Sequence, residues 1–264
     1  MPAFAWPTYL DAVVTFMTAV LGIGGFMLIV STVMFLIRTG ARRAYRKIAG
    51  TPPTALASWR PGTGTVAATG VTDYGAVGPQ VGPVSGEDCT WYRIEVVRSP
   101  SRKSDDRTGE DLLGEFSSAS WPSLTDRSGR VVIDPRMLVK ALSAGDPVAT
   151  EKAGASFGSP IPAYVPATMV GKLRSYEDIH LREVRLPPGR AVYTVGAVRD
   201  GRADMAVLAP SRWGFAVFTT DHRDQVLARR AKNATSAHRV MRAFGVLGLV
   251  LTAGSAGLLY LLLA

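Results

Sequence analysis

Gly154-Ala155-Ser156-Phe157-Gly158 carries the G-x-S-x-G spacing of a nucleophile elbow, and Asp178 with His180 or His222 follows in an order that a hydrolase triad could use. In such an elbow a serine on a sharp strand-to-helix turn presents its hydroxyl to a histidine, which an acid holds in the right tautomer. The flanks do not favour either element. Glu151 and Lys152 precede the motif, and Pro160, Pro162 and Pro166 follow it. A membrane-bound serine hydrolase using Ser156 is therefore the alternative reading, and no catalytic residue is assigned.

Metal chemistry finds no better footing. The three histidines, His180, His222 and His238, form no H-x-x-x-H pair, and a single cysteine, Cys89, cannot build a thiolate cage or an intramolecular disulfide. No metal and no cofactor are expected, and Cys89 reads as a small buried hydrophobe. The acids Asp105, Asp106, Glu110 and Asp111 alternate with Arg102, Lys103 and Arg107, which reads as solvated surface.

The cations are the more informative group. The formal charge is +9, with 24 Arg and 6 Lys, a skew that suggests a GC-rich bacterial genome. Residues 48–222 hold 19 cations and 19 acids, so the excess lies outside them. It sits in two clusters: Arg38, Arg42, Arg43, Arg46 and Lys47, then Arg229, Arg230, Lys232, Arg239 and Arg242. Lysine and arginine at a bilayer surface each attract anionic headgroups by about 1 kcal/mol. These ten are the candidate lipid-facing residues. A neutral central domain lacks the basic groove that an OB-type nucleic-acid binder uses, so nucleic acid is not an expected partner.

Both clusters border segments without charge, 12–37 and 243–264. Roughly 20 apolar residues cross about 30 Å of hydrocarbon, so each segment is long enough for a transmembrane helix. Because the cations flank the middle of the chain, the positive-inside bias puts the central domain in the cytoplasm and both termini outside. The expected location is a bacterial cytoplasmic (inner) membrane. The leader before residue 12 has one acid and no base, unlike a cleaved secretory signal. Thr18 with Gly22 and Ala253 with Gly257 are small-xxx-small pairs that permit close helix contact, within one chain or between copies. No Asp, Glu, Lys or Arg falls inside either segment, so nothing supports an ion pathway.

The organisation read from the chain is an external N-terminus 1–11, a first span 12–37, a basic juxtamembrane segment and linker 38–61, a β domain 62–220, a basic helix 221–242 and a second span 243–264. Gly50, Pro52 and Pro53 stop the first helix. Short alternating segments predict strands at 63–68, 89–97, 130–134, 179–186, 190–198, 205–208 and 215–219. One short helix is predicted over 135–144, opened by Pro135 and stopped by Gly145. The segment 99–115 reads as an exposed hairpin loop. Nothing interrupts the helical pattern from Thr220 to Ala264, which predicts one continuous helix. The fold class is thus a membrane-anchored, all-β domain, an OB-like small barrel with one short helix, between two transmembrane α-helices.

Three motifs in order sharpen this. Cys89-Thr90-Trp91-Tyr92-Arg93 comes first, then Asp126-Arg127-Ser128-Gly129-Arg130-Val131 as a turn before a strand, then Glu183 ahead of Leu186-Pro187-Pro188-Gly189 and the strand that reaches Gly196. With a closing helix into a membrane, the series resembles the GIDE family over roughly residues 63–264. Its best-known members are mitochondrial membrane-anchored RING-type ubiquitin ligases, in which two spans bracket a "beside a membrane" (BAM) domain. The resemblance implies that scaffold and a role for the domain in binding a partner or sensing something at the membrane surface; the expected partner is a protein, a lipid or a second copy of the chain. It does not imply ligase activity, because one cysteine and three histidines in this sequence cannot supply the eight ligands of a two-zinc RING. The expected protein is non-enzymatic.

Overall fold

The computed structural model describes residues 6–102, 109–142, 149–153, 162–171, 174, 176–201, 206–212 and 214–263. The chain divides into two units, residues 1–50 with 223–264, and residues 51–222.

The first unit is a pair of helices, α1 (Trp6–Ala49) and α4 (Arg223–Leu263). At about 1.5 Å per residue each is roughly 60 Å long, twice the hydrocarbon thickness. Both are long and apolar enough to cross a membrane, with best windows of mean hydropathy 2.5 and 1.9. Those windows are only 6% and 11% buried, the reverse of a core helix in a soluble domain. Phe26 is 64% exposed and Leu261 74% exposed, so the apolar side chains point outward.

The helices run antiparallel and touch through small residues. A Cβ on Gly24 would lie 2.5 Å from Thr252 Oγ1 and 2.9 Å from the Thr252 nitrogen, and one on Gly248 would lie 3.0 Å from the Gly24 carbonyl. About two helix turns further along α1, Ser31 Oγ donates to the Met241 carbonyl at 3.0 Å and sits 2.9 Å from where a Gly245 Cβ would be. Gly24, Ser31, Gly245 and Gly248 thus make the seam. The pairs Thr18 with Gly22 and Ala253 with Gly257 lie outside it: all four are exposed, and Gly22 and Gly257 have nothing near them.

The second unit centres on a closed barrel of five strands. β1 (Thr65–Asp73) pairs antiparallel with β6 (Ser123–Thr125), and β6 with β7 (Arg130–Ile133). β7 runs parallel to β11 (Ala206–Ala209), β11 antiparallel to β10 (Ala191–Asp200), and β10 returns to β1, with Thr65 opposite Ala197. β12 (Val217–Thr219) adds to β10 beside the ring.

Local chemistry explains the corners. Asp126 Oδ1 accepts the amides of Ser128 and Gly129 at 2.7 and 2.9 Å, which closes the turn between β6 and β7. Its other oxygen accepts the Leu56 amide at 3.0 Å and so ties down the 3-10 turn Leu56–Ser58. Asp134 caps α2 (Pro135–Leu142): its carboxylate accepts the Arg136 amide at 2.9 Å, and Pro135 takes the first helical position. At Gly196 a Cβ would fall 2.7 Å from the Ala209 carbonyl and 2.8 Å from Leu208 Cδ1, so only glycine lets β10 pass β11 there. Trp91, Leu124, Ile133, Met137, Leu138 and Leu208 fill the barrel.

A second sheet, in the order β5 (Asp111–Ser117), β4 (Trp91–Ser99), β9 (Asp178–Leu186), β8 (Ala149–Ala153), is antiparallel throughout. Trp91 opposes Leu186 and both enter the barrel core, whereas Ile94, Val96, Ile179 and Leu181 from the same two strands build a separate core with Val165 and Val170. Two strands therefore serve two cores. A ribbon of β2 (Gln80–Val81) and β3 (Asp88–Cys89) and the single turn α3 (Ala167–Val170) complete the described elements.

Every one of the seven predicted strands has a counterpart, but the expected loop 99–115 does not hold at its end. Asp111 opens β5 and is buried, because Arg98 Nη2, Ser101 Oγ and the Arg102 amide all donate to its carboxylate. α3 is likewise a helical turn beyond the one expected.

Candidate functional site

The ten cations lie on two helices. Arg38, Arg42, Arg43, Arg46 and Lys47 occupy the last three turns of α1, and Arg229, Arg230, Lys232, Arg239 and Arg242 occupy the first half of α4. Arg42, Arg43, Arg46, Arg229, Lys232, Arg239 and Arg242 are exposed, and Arg38, Lys47 and Arg230 are half-buried. The only acids on either helix are Asp11 and Asp224, each in the opening third of its helix. Like charges four apart on a helix repel by a few tenths of a kcal/mol, so α1 carries Arg38, Arg42 and Arg46 against its own preference.

Three of the ten converge. The antiparallel seam that puts Ser31 beside Met241 and Gly245 carries Arg38 to the level of His238, and Arg42 and Arg242 join them as charged neighbours. Arg38 Nε and His238 Nδ1 are both buried and without a hydrogen-bond partner. The other seven, Arg43, Arg46 and Lys47 on α1 and Arg229, Arg230, Lys232 and Arg239 on α4, are not among the charges that act on Arg38 and His238. His238 is the member that residue types alone missed. Only the helix register, which a sequence does not print, shows that it meets Arg38. At the ends of the pair, Arg223 Nη2 donates to the Ala49 carbonyl at 2.9 Å and clips the two helices together.

The β unit handles charge in the opposite way. Glu177 is fully buried, and Arg102 grips it with two bonds of 2.5 Å while the Arg174 amide adds a third at 2.8 Å. Arg102 and that amide hold its carboxyl at about 2, against the opposing effect of burial. Asp111 is held far below the ordinary carboxylate range by Ser101, Arg98 and the Arg102 amide. Glu183, also buried, accepts Ser85 Oγ at 2.5 Å and the Val84 amide at 2.8 Å, which fastens the turn between β2 and β3 onto β9. Arg93 is buried among strands with one bond to Glu95 at 2.8 Å and one to the Val139 carbonyl at 3.2 Å. These are anchors between strands.

Cys89 is buried, and burial first, then Glu183 and Asp88, push its thiol up to about 11. It is a poor nucleophile at neutral pH. Asp178 and His180 lie two residues apart on β9, while Ser156 and the whole of Gly154–Gly158 lie outside the described residues. Among the described residues, no three His, Cys, Asp or Glu side chains group closely enough to hold a metal ion. Among the described residues, Arg38, Arg42, Arg242 and His238 of α1 and α4 gather with no acid among them. Compared with protein-family models, with curated proteins and with solved structures, the chain matches none.

Proposed function

We propose that this is a non-enzymatic, two-pass protein of a bacterial cytoplasmic membrane, whose central β domain binds a protein or lipid partner at the membrane surface. One observation carries the reading: cations from both apolar helices converge with no acid among them, while the domain between is neutral. Anionic lipid supplies the missing counter-charge. The cations also set the orientation, with residues 51–222 cytoplasmic and both ends outside.

The finer fold assignment rests on strand order. Counting only barrel strands, the ring runs first, second, third, fifth, fourth and back to the first, with one parallel contact and a helix in the connection after the third strand. That order supports an OB-like barrel, and a β domain between two apolar helices is the scaffold that the resemblance to the GIDE family implies. Fold alone carries no activity, so ligase chemistry is not part of the proposal.

A reporter fused after Ala264 and a second placed between Gly50 and Thr51 test the topology. The first should signal only outside and the second only in the cytoplasm; the reverse pattern refutes the orientation. Discs cut from the native membrane with the full chain inside test the lipid partner. They should be enriched in anionic over zwitterionic phospholipid, and bulk composition would refute the attraction.

A homo-oligomer is the second reading, favoured by the small residues that the helix seam leaves outward, Thr18, Gly22, Ala253 and Gly257. Gly22→Cys or Gly257→Cys should then crosslink between copies in the membrane.

A further inference from the structure

A shallow groove of about 390 Å³ runs between α1 and α4, just inside the level where the cations begin. Phe35, Met241 and Val246 give it apolar walls, and Gly245 leaves its floor open. Its two hydroxyls are already bonded to backbone: Ser31 Oγ donates across to the Met241 carbonyl at 3.0 Å, and Thr32 Oγ1 donates back to the Leu28 carbonyl at 2.9 Å. With those groups satisfied, the surface presented to a ligand is hydrocarbon. Arg242 is the one charge in the lining, and it belongs to the group with Arg38, Arg42 and His238.

The order along the helices matters. Ser31 to Phe35 and Gly245 to Val246 fall within the charge-free segments, whereas Arg38, Arg42, Arg242 and His238 lie beyond them, about 5–10 Å further along the axis at 1.5 Å per residue. The site is thus apolar at hydrocarbon depth and cationic at headgroup depth. Buried Arg38 Nε and His238 Nδ1 lack partners at the cationic end. A free phosphate would match the cations and leave the groove empty, and an uncharged apolar helix would fill the groove and leave the cations unpaired. A diacyl lipid with an anionic phosphate headgroup satisfies both.

We infer that the α1–α4 groove seats one anionic phospholipid, an acyl chain along Phe35, Met241 and Val246 and the phosphate among Arg38, Arg42 and Arg242. This rests on the anionic-lipid reading above and makes it specific: one lipid is held at a defined place, beyond the general attraction of the basic surface. The seated lipid lies across both helices and so joins them near the membrane surface.

The test uses the full chain in discs of phosphatidylcholine carrying a minor fraction of phosphatidylglycerol, with retained lipid per chain counted by native mass spectrometry. Wild type should keep one phosphatidylglycerol in preference to phosphatidylcholine. Val246→Trp and Thr32→Trp, both at exposed rims of the groove, should each lower that retention at least fivefold without touching a charge. Arg242→Gln should lower it about fivefold, as one cation near the surface is worth. Glycerol phosphate at equal concentration should not displace the lipid.

Retention by both tryptophan variants at the wild-type level overturns the seat and leaves the general lipid attraction standing. No preference for phosphatidylglycerol in wild type overturns both. Displacement by glycerol phosphate assigns the cations to a free anion and overturns the seat. Crosslinking of Val246→Cys between copies, with no lipid retained, reassigns the groove to a second chain.

Discussion

The helix pair and the β unit treat charge in opposite ways. In the β unit cations and acids are equal in number, and its buried carboxylates, Asp111, Asp134, Glu177 and Glu183, each accept hydrogen bonds from within the unit. In the helix pair the cations outnumber Asp11 and Asp224 by nine, the whole formal charge of the protein. A unit that neutralises itself needs no partner for its stability. One with such an excess draws counter-ions from outside the chain, and anionic lipid is the source that the proposed membrane location offers. The packing differs in parallel: large side chains fill the barrel, whereas glycine and serine bring the helices together.

The largest expected effect breaks the barrel. Trp91→Ala empties a fully buried position in the barrel core, and should cost about 3–5 kcal/mol in chemical denaturation of the full chain followed by tryptophan fluorescence. The helix pair should still be present in far-ultraviolet circular dichroism. Next comes the seam. Gly24→Leu drives a side chain into the Thr252 backbone and should cost about 1–3 kcal/mol, whereas Gly22→Leu, with open space around it, should be neutral. Disulfide formation between Ser31→Cys and Gly245→Cys reads the difference: it should fall in the Gly24→Leu background only.

A smaller effect separates the two treatments of charge by pH. The Glu177 carboxyl is lowered from an ordinary 4.5 to about 2, so its contribution is complete above about 4.5 and is lost as pH falls toward 2. Thermal stability should drop through that window in wild type and less steeply in Glu177→Gln. The helix arginines do not titrate there. The smallest expected change in stability is in Arg43→Gln with Arg46→Gln, within about 0.5 kcal/mol, because neither is given a buried role. Anionic-lipid enrichment should fall nonetheless. A large loss of stability in that double variant would erase the contrast between the units.

What could be read from the sequence followed from how local each signal is. Charge-free segments and their basic borders need no tertiary information, and the helices stand where hydropathy put them. Strands with alternating apolar residues, such as Ile179–Leu186, were equally plain. Ala149–Ala153, Ala-Thr-Glu-Lys-Ala, has no such pattern and is a strand because β9 offers it an edge. Asp111 looked solvated because its ligands, Arg98, Ser101 and Arg102, become ligands only when β5 turns back on β4. The cations of the site were legible by type. Their convergence on His238, and the choice of Gly24 over Gly22 for the seam, depend on helix register, to which composition is blind.

The way the barrel closes sets a timetable for its making. β1 is completed by β10, so Thr65 waits for Ala197, and β7 waits for β11. At roughly 5–20 residues per second of synthesis, the strand nearest the first span stands with an unpaired edge for roughly 6–25 s before its mate leaves the ribosome. Through that interval the nascent domain is an open sheet, exposed to pairing with its neighbours. Whatever shields the free edge of β1 until β10 emerges is where the yield of this protein should be won or lost.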